Sequence, residues 1–146
     1  GVYFGKCAEL CGPSHALMDF KVKTLNREDF DAWVAAMQEE QEAPSEALAQ
    51  EGQEIFEQSC IACHATNAAG AATGVVPNLA TFGDRTTIAG FMEHDEETLK
   101  NWIANPQEYK PGNLMPEAAS LNDGNELTDQ ELNALAAYLM SLKVEE

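Results

Sequence analysis

Cys60-Ile61-Ala62-Cys63-His64 constrains this chain more than any other stretch. Cys-x-x-Cys-His is the attachment signature of a c-type haem. The two thiols have the spacing to form thioethers with the haem vinyl groups, and the adjacent His is then held beneath the iron as an axial ligand. One helical turn carries residues three apart to the same side, so both sulfurs reach one porphyrin edge. A redox dithiol or half of a zinc site would also use Cys-x-x-Cys. Zinc would need a second pair at matching spacing, and a thioredoxin-like motif would need strands around it. Neither follows here.

The 146 residues leave room for one ordinary domain, or for a small domain plus an arm. No apolar run approaches the roughly 18 residues that span a bilayer, and no signal peptide opens the sequence. The expectation is a soluble protein, or the soluble part of something larger. A formal net charge of -17 argues against nucleic acid and anionic membrane surfaces as partners and favours a basic or neutral one. Residues 1–45 hold 8 Asp/Glu and 4 Lys/Arg, whereas residues 46–146 hold 17 and 4. The acidity therefore belongs mainly to the second part.

Along the chain, residues 1–25 read as the tail of a β domain. Val2-Tyr3-Phe4 is a short apolar run that Gly5 is expected to break. Phe20, Val22 and Thr24 alternate with Lys21 and Lys23, the period of a half-buried strand. One strand pair buries no core alone. Residues 26–41 read as a helix capped by Asn26, and Phe30, Trp33, Val34 and Met37 form an apolar stripe expected to pack. Residues 38–46 are charged and then broken by Pro44, so 26–45 is read as helix and linker, and the domain boundary is placed near Pro44.

The second part reads as all-α. A helix over 46–63 runs into the haem motif, and residues 65–90 read as a loop over the haem. A short helix over 95–104 has Asp95 as cap and Leu99, Trp102 and Ile103 as its buried face. Residues 107–127 read as loop. In the last helix, 128–142, Thr128-x-x-Glu131 makes a capping box and Leu132, Leu135, Ala136 and Leu139 make the stripe.

Met115, Met92 and His94 are the candidates for the iron's second axial ligand. Met115 is favoured because its Pro/Gly-punctuated loop stiffens the backbone and aims a side chain inward, 51 residues after His64. A thioether prefers Fe(II), so His/Met ligation raises the reduction potential. His94 is expected at the surface. Phe82, Trp102 and Tyr109 are expected to line the pocket, and the last two can also hydrogen-bond a propionate, although packing alone would explain them.

Gly52 with Phe56, Cys-x-x-Cys-His, Pro77-Asn78-Leu79, Trp102-Ile103-x-Asn105-Pro106, Lys110-Pro111-Gly112-Asn113-Leu114-Met115-Pro116 and a last helix ending Tyr138-Leu139 together make residues 46–146 resemble a bacterial class I cytochrome c. That resemblance implies a mainly α fold in which the first and last helices cross, with Gly52 admitting Tyr138. It also implies that the Pro77 carbonyl accepts a hydrogen bond from the second ring nitrogen of His64, which orients the ring and strengthens it as a donor.

A second motif sets four soft or borderline ligands in one loop: Cys7-x-x-x-Cys11-x-x-x-His15-x-x-Met18. Two thiolates, an imidazole and a thioether favour copper over magnesium, calcium or manganese. A Cys7–Cys11 disulfide and a zinc site are the alternatives. The string Cys-Ala-Glu-Leu-Cys-Gly-x-x-His-x-x-Met is similar to the dinuclear CuA loop of cytochrome c oxidase subunit II. The resemblance implies Cys7, Cys11, His15, Met18 and the main-chain carbonyl of Glu9 as copper ligands. Residues 1–25 are then the remnant of a cupredoxin domain, and the whole chain resembles the C-terminal end of a caa-type subunit II.

A complete CuA site has a further His on an earlier strand. With only His64 and His94 besides His15, the copper site of this chain is expected to be incomplete. The implied function is electron transfer from a donor protein through haem c to CuA, and onward to an oxidase catalytic subunit, on the outer face of a bacterial membrane. The membrane would be met only through an upstream segment. The rival readings are an independent soluble class I cytochrome c, a nitrous-oxide-reductase-like CuA protein and a metal chaperone, the last of which would not need haem.

Overall fold

The structure is a computed structural model that describes residues 1–39, 42–67 and 76–144. The linker reading of 38–46 and the haem-loop reading of 65–90 fall partly on residues 40, 41 and 68–75, outside the described ones.

The chain opens with an antiparallel hairpin, β1 (Val2–Lys6) with β2 (Asp19–Lys23), in the register Val2↔Lys23, Phe4↔Lys21 and Lys6↔Asp19. Gly5 does not end the first strand as expected. It pairs with Phe20, and the Phe20 ring covers the place a side chain at residue 5 would take, so the glycine accommodates the ring within the ladder. Beyond the strands, Cys7 N–H donates to the Met18 carbonyl at 3.0 Å. The long loop is thus zipped shut at its base, and His15–Leu17 form a 3₁₀ turn inside it.

Helix α1 spans Arg27–Gln38. Asn26 caps it by accepting from Asp29 N–H at 2.9 Å, with Glu28 and Asp29 at the positive end. Its apolar stripe was expected to pack, but no α1 residue is buried, and Phe30 is 46% exposed with its ring 6.1 Å from that of Trp33. The helical spacing is local and holds; Trp33, Val34 and Met37 are half-buried.

The core lies where α2 (Ala47–Ser59) crosses α6 (Asp129–Ser141). Gly52 permits the crossing: a Cβ there would run into the Ala134 carbonyl and stand 2.9 Å from the Tyr138 Cβ. One turn on, the Phe56 and Tyr138 rings meet at 5.6 Å and 60°, an arrangement that suits two ring quadrupoles. α3 (Glu96–Ala104), capped by Asp95 accepting from Thr98 N–H at 2.8 Å, adds Leu99 and Ile103 to the same core. Full burial of side chains such as Phe56, Leu99 and Leu135 contributes roughly 1.5–3 kcal/mol each. The capping box forms, Thr128 N–H donating to Glu131 Oε2 at 2.7 Å and Glu131 N–H to Thr128 Oγ1 at 3.3 Å.

Two boundaries differ from the sequence reading. The helix leading into the haem motif stops at Ser59, and the motif itself is a tight turn. The stretch 107–127 is not loop throughout: α4 (Pro106–Tyr109) and α5 (Ala118–Leu121) occupy four residues each, too few for a 3.6-residue period to register. No helix among the described residues is long and apolar enough to cross a membrane.

Candidate functional site

The Cys60–His64 turn continues the end of α2. Cys60 N–H donates to the Phe56 carbonyl at 2.8 Å, then Cys63 and His64 N–H both donate to the Cys60 carbonyl, at 3.1 and 2.9 Å. The turn leaves Cys63 exposed and Cys60 half-buried. Burial, reinforced by the neighbouring Cys63, pushes the Cys60 thiol up to about 11. Neither sulfur forms a disulfide. His64 Nδ1 stands 2.9 Å from the Pro77 carbonyl oxygen. A carbonyl only accepts, so Nδ1 carries the proton and the Nε2 lone pair is left for a metal.

Met115 is half-buried, in a loop held by two amides that sequence reading did not single out. Asn113 Oδ1 accepts from Met115 N–H at 2.7 Å, and its Nδ2 donates to the Pro106 and Lys110 carbonyls at 3.0 and 2.8 Å. Gln107 Nε2 donates to the Asn113 and Met115 carbonyls at 2.9 and 3.1 Å, and its Oε1 accepts from Gly112 N–H at 3.1 Å. The signal available in the sequence was Asn beside a Pro-Gly turn, a pairing that commonly bonds its own backbone. Gly112 has φ +79°, which favours glycine there.

The other axial candidates are engaged elsewhere. Met92 pairs through its backbone with Ile88 and packs against the core cluster. His94 is half-buried rather than at the surface as expected: its Nε2 lies 2.9 Å from the Phe82 carbonyl and its ring stacks 5.2 Å from the Phe82 ring. Phe82 is itself buried, with the Arg85 guanidinium 5.6 Å from its ring centre. Arg85 donates to the Asn78 carbonyl, and burial holds its pKa below the ordinary value. Trp102 and Tyr109 are half-buried, and Trp102 packs against the core cluster.

The hairpin loop forms the second centre. Cys11 Sγ is 3.6 Å from Cys7 Sγ, 3.5 Å from His15 Nδ1 and 3.6 Å from Met18 Sδ. Cys7 Sγ is 3.1 Å from the Glu9 carbonyl oxygen. Cys7, Cys11 and His15 offer ligand atoms within 4.8 Å of one another. Two strands zipped at Cys7–Met18 and the 3₁₀ turn at His15 thus bring four soft or borderline donors together around Cys11, with the Glu9 carbonyl oxygen beside Cys7. The Cys11 thiol is pushed up, chiefly by its contact with Cys7, while Lys110 pulls it down electrostatically. A bound copper would resolve this crowding by taking the thiolates as ligands, so the donor set fits copper. The Cys60–His64 turn fits haem c on equal grounds: two thiols three apart, Cys63 exposed and Cys60 half-buried, and an imidazole whose tautomer is already set.

A family model described as Cytochrome c matches residues 49–143. Three curated proteins, each called cytochrome c oxidase subunit 2, align along nearly all of this chain. That of Bacillus sp. (strain PS3) is 52% identical over 149 residues, covering 99% of this chain and 40% of that protein. That of Alkalihalophilus pseudofirmus is 50% identical over 147 residues, covering 100% and 41%. That of Bacillus subtilis is 45% identical over 148 residues, covering 99% and 40%. The chain spans about two fifths of the length of these curated relatives. With a cytochrome c match across the α2–α6 core and the haem-attachment turn, the chain belongs to the cytochrome c family.

Proposed function

We propose that this chain is the electron-entry segment of a haem–copper terminal oxidase, with residues 46–146 as its cytochrome c domain, 26–45 as helix and linker, and 1–25 as the end of a CuA cupredoxin domain. The observation that carries the reading is the convergence of Cys7, His15 and Met18 around Cys11, with the Glu9 carbonyl oxygen beside Cys7, in a chain that also holds a Cys-x-x-Cys-His turn. Similarity along nearly all of this chain to part of cytochrome c oxidase subunit 2 supports an oxidase over a nitrous-oxide-reductase-like protein or a free shuttle.

In this reading Cys60 and Cys63 would hold a haem covalently, and His64 Nε2 and Met115 Sδ would ligate its iron. The haem supplies reversible one-electron Fe(II)/Fe(III) chemistry. The Pro77 carbonyl fixes the His64 ring and increases its donor strength. Gln107 and Asn113 hold the Met115 backbone so that ligation costs little reorganisation. Trp102 and Tyr109 flank the pocket. The acidic surface steers a basic donor, a term that salt screens. The partners are an electron-donor protein and the oxidase catalytic subunit, on the outer face of a bacterial membrane. The cupredoxin remnant supplies five copper donors, and the longer protein supplies the further imidazole.

The test is the intact mass of the protein expressed with a haem-attachment system, together with a copper titration. One haem that resists acid-acetone extraction and is weakened or lost in Cys60→Ala, with fewer than two coppers bound to this chain alone, is the expected result. A protein that carries no covalent haem overturns the reading, and two tightly bound coppers with a purple mixed-valence spectrum overturn the need for a further imidazole.

A further inference from the structure

The two candidate centres lie far apart in sequence, yet their loops touch. Ser14 Oγ donates to the Pro111 carbonyl at 2.6 Å, across 97 residues of sequence. Beside it, a Cβ at Gly112 would meet the Pro13 ring at 3.0 Å, so the ring packs closely against the Gly112 main chain. Ser14 is the residue before His15, and its carbonyl accepts from Leu17 N–H at 2.9 Å to open the 3₁₀ turn that carries His15. Pro111 and Gly112 begin the five-residue run that ends at Met115, and Gln107 and Asn113 lock that run from within.

Two further contacts seat the hairpin on the same side of the helical part. Lys21 Nζ donates to Thr86 Oγ1 at 2.7 Å, and a Cβ at Gly90 would stand 2.7 Å from the Asp19 carbonyl. Lys110, which precedes Pro111, donates to the Ala89 carbonyl at 2.9 Å, tying the Met115 loop to the turn on which β2 rests. The hydrogen bond and the proline contact therefore lie between two stiff loops, each anchored on its own side.

We propose that the Ser14–Pro111 hydrogen bond, backed by Pro13 on Gly112, is the conducting contact between the haem and copper centres and makes Ser14 a positioning residue for electron transfer. The proposal rests on the function proposed above. One electron leaves Fe(II), which becomes Fe(III), and enters a mixed-valence Cu(I)/Cu(II) pair, which becomes Cu(I)/Cu(I); no proton moves and no bond breaks. The route from Met115 runs back along four residues of locked backbone to the Pro111 carbonyl, crosses to Ser14 Oγ and reaches His15 one residue later. A hydrogen bond couples the two loops far better than the through-space gap left by its loss.

The test uses the full-length protein loaded with haem and copper, comparing Ser14→Ala and Ser14→Thr with the parent. Photo-injected electrons report the haem-to-copper transfer rate, and amide exchange of residues 12–18 and 110–115 reports the seam without reference to activity. Ser14→Ala should slow transfer several-fold and raise exchange in both segments, with the Met-ligation absorption and the haem potential unchanged; Ser14→Thr, which keeps the hydroxyl, should restore the rate. An unchanged rate in Ser14→Ala overturns the proposal and leaves the assigned function standing. So does a rate that falls only together with loss of Met ligation, since Ser14 would then act through the fold. Absence of haem-to-copper transfer in the parent overturns the assigned function along with it.

Discussion

His64 Nδ1 stands 2.9 Å from the Pro77 main-chain oxygen, and this one contact decides which ring nitrogen faces a metal. Because the acceptor is backbone, the side chain of residue 77 matters only for stiffness. Pro77→Ala should keep covalent haem and His ligation and should soften the loop, while His64→Ala should remove the axial imidazole. Resonance spectra of the ferric proteins separate the two: an unchanged low-spin pattern for Pro77→Ala and a high-spin pattern for His64→Ala.

The Gly52–Ala134 approach makes a steric prediction. A methyl group at residue 52 has no room against the Ala134 carbonyl, and main chain does not swing aside as a side chain does. Gly52→Ala should cost about 3 kcal/mol, at the upper end of overpacking effects, despite the gain in helix propensity. A denaturant titration checks it; a stabilised variant would mean that α2 and α6 cross elsewhere.

The capping box predicts a pH dependence. Glu131 lies below its ordinary value of 4.5 because Thr128 N–H donates to its carboxylate. A carboxyl lowered by folding contributes stability that is present above its unfolded pKa and lost as the pH falls through the lower folded one. Thr128→Ala should cost about 1 kcal/mol at neutral pH, whereas Glu131→Gln, which has no carboxyl to titrate, should flatten the loss of stability below pH 4.5. Thermal melts of both proteins from neutral pH downward measure it.

The hairpin loop predicts a thiol-dependent metal site. Cys11 Sγ lies within 3.6 Å of Cys7 Sγ, His15 Nδ1 and Met18 Sδ, so removing it takes away the atom the others share. Cys11→Ser should abolish copper binding measured by metal analysis, whereas Met18→Leu, which removes one soft donor, should weaken it and leave the site occupied. Equal copper in the parent and Cys11→Ser would place the metal elsewhere.

Local chemistry was legible and tertiary chemistry was not. Asn26, Asp95 and Thr128 could be read as caps because a cap depends on residues three positions away. Cys7, Cys11, His15 and Met18 could be picked out as a candidate ligand set for the same reason, since they sit within twelve residues; the Glu9 carbonyl entered only through the resemblance. Gly5 misled because glycine is a common strand breaker, and only the Phe20 ring across the ladder explains why it continues the strand here. His94 reads as a surface residue until the Phe82 carbonyl, twelve residues back, is seen to bind its ring. The Phe30–Met37 stripe predicted a helix correctly, but periodicity says nothing about what covers it. The Ser14–Pro111 contact has no sequence pattern at all, because it joins two loops by fold alone.

If one haem c is held between His64 and Met115, the ferric absorption spectrum of the haem-loaded protein reports it. A thioether-to-iron charge-transfer band should persist in Met92→Ala and disappear in Met115→Ala. A band that survives in Met115→Ala, or that vanishes in Met92→Ala, would contradict it.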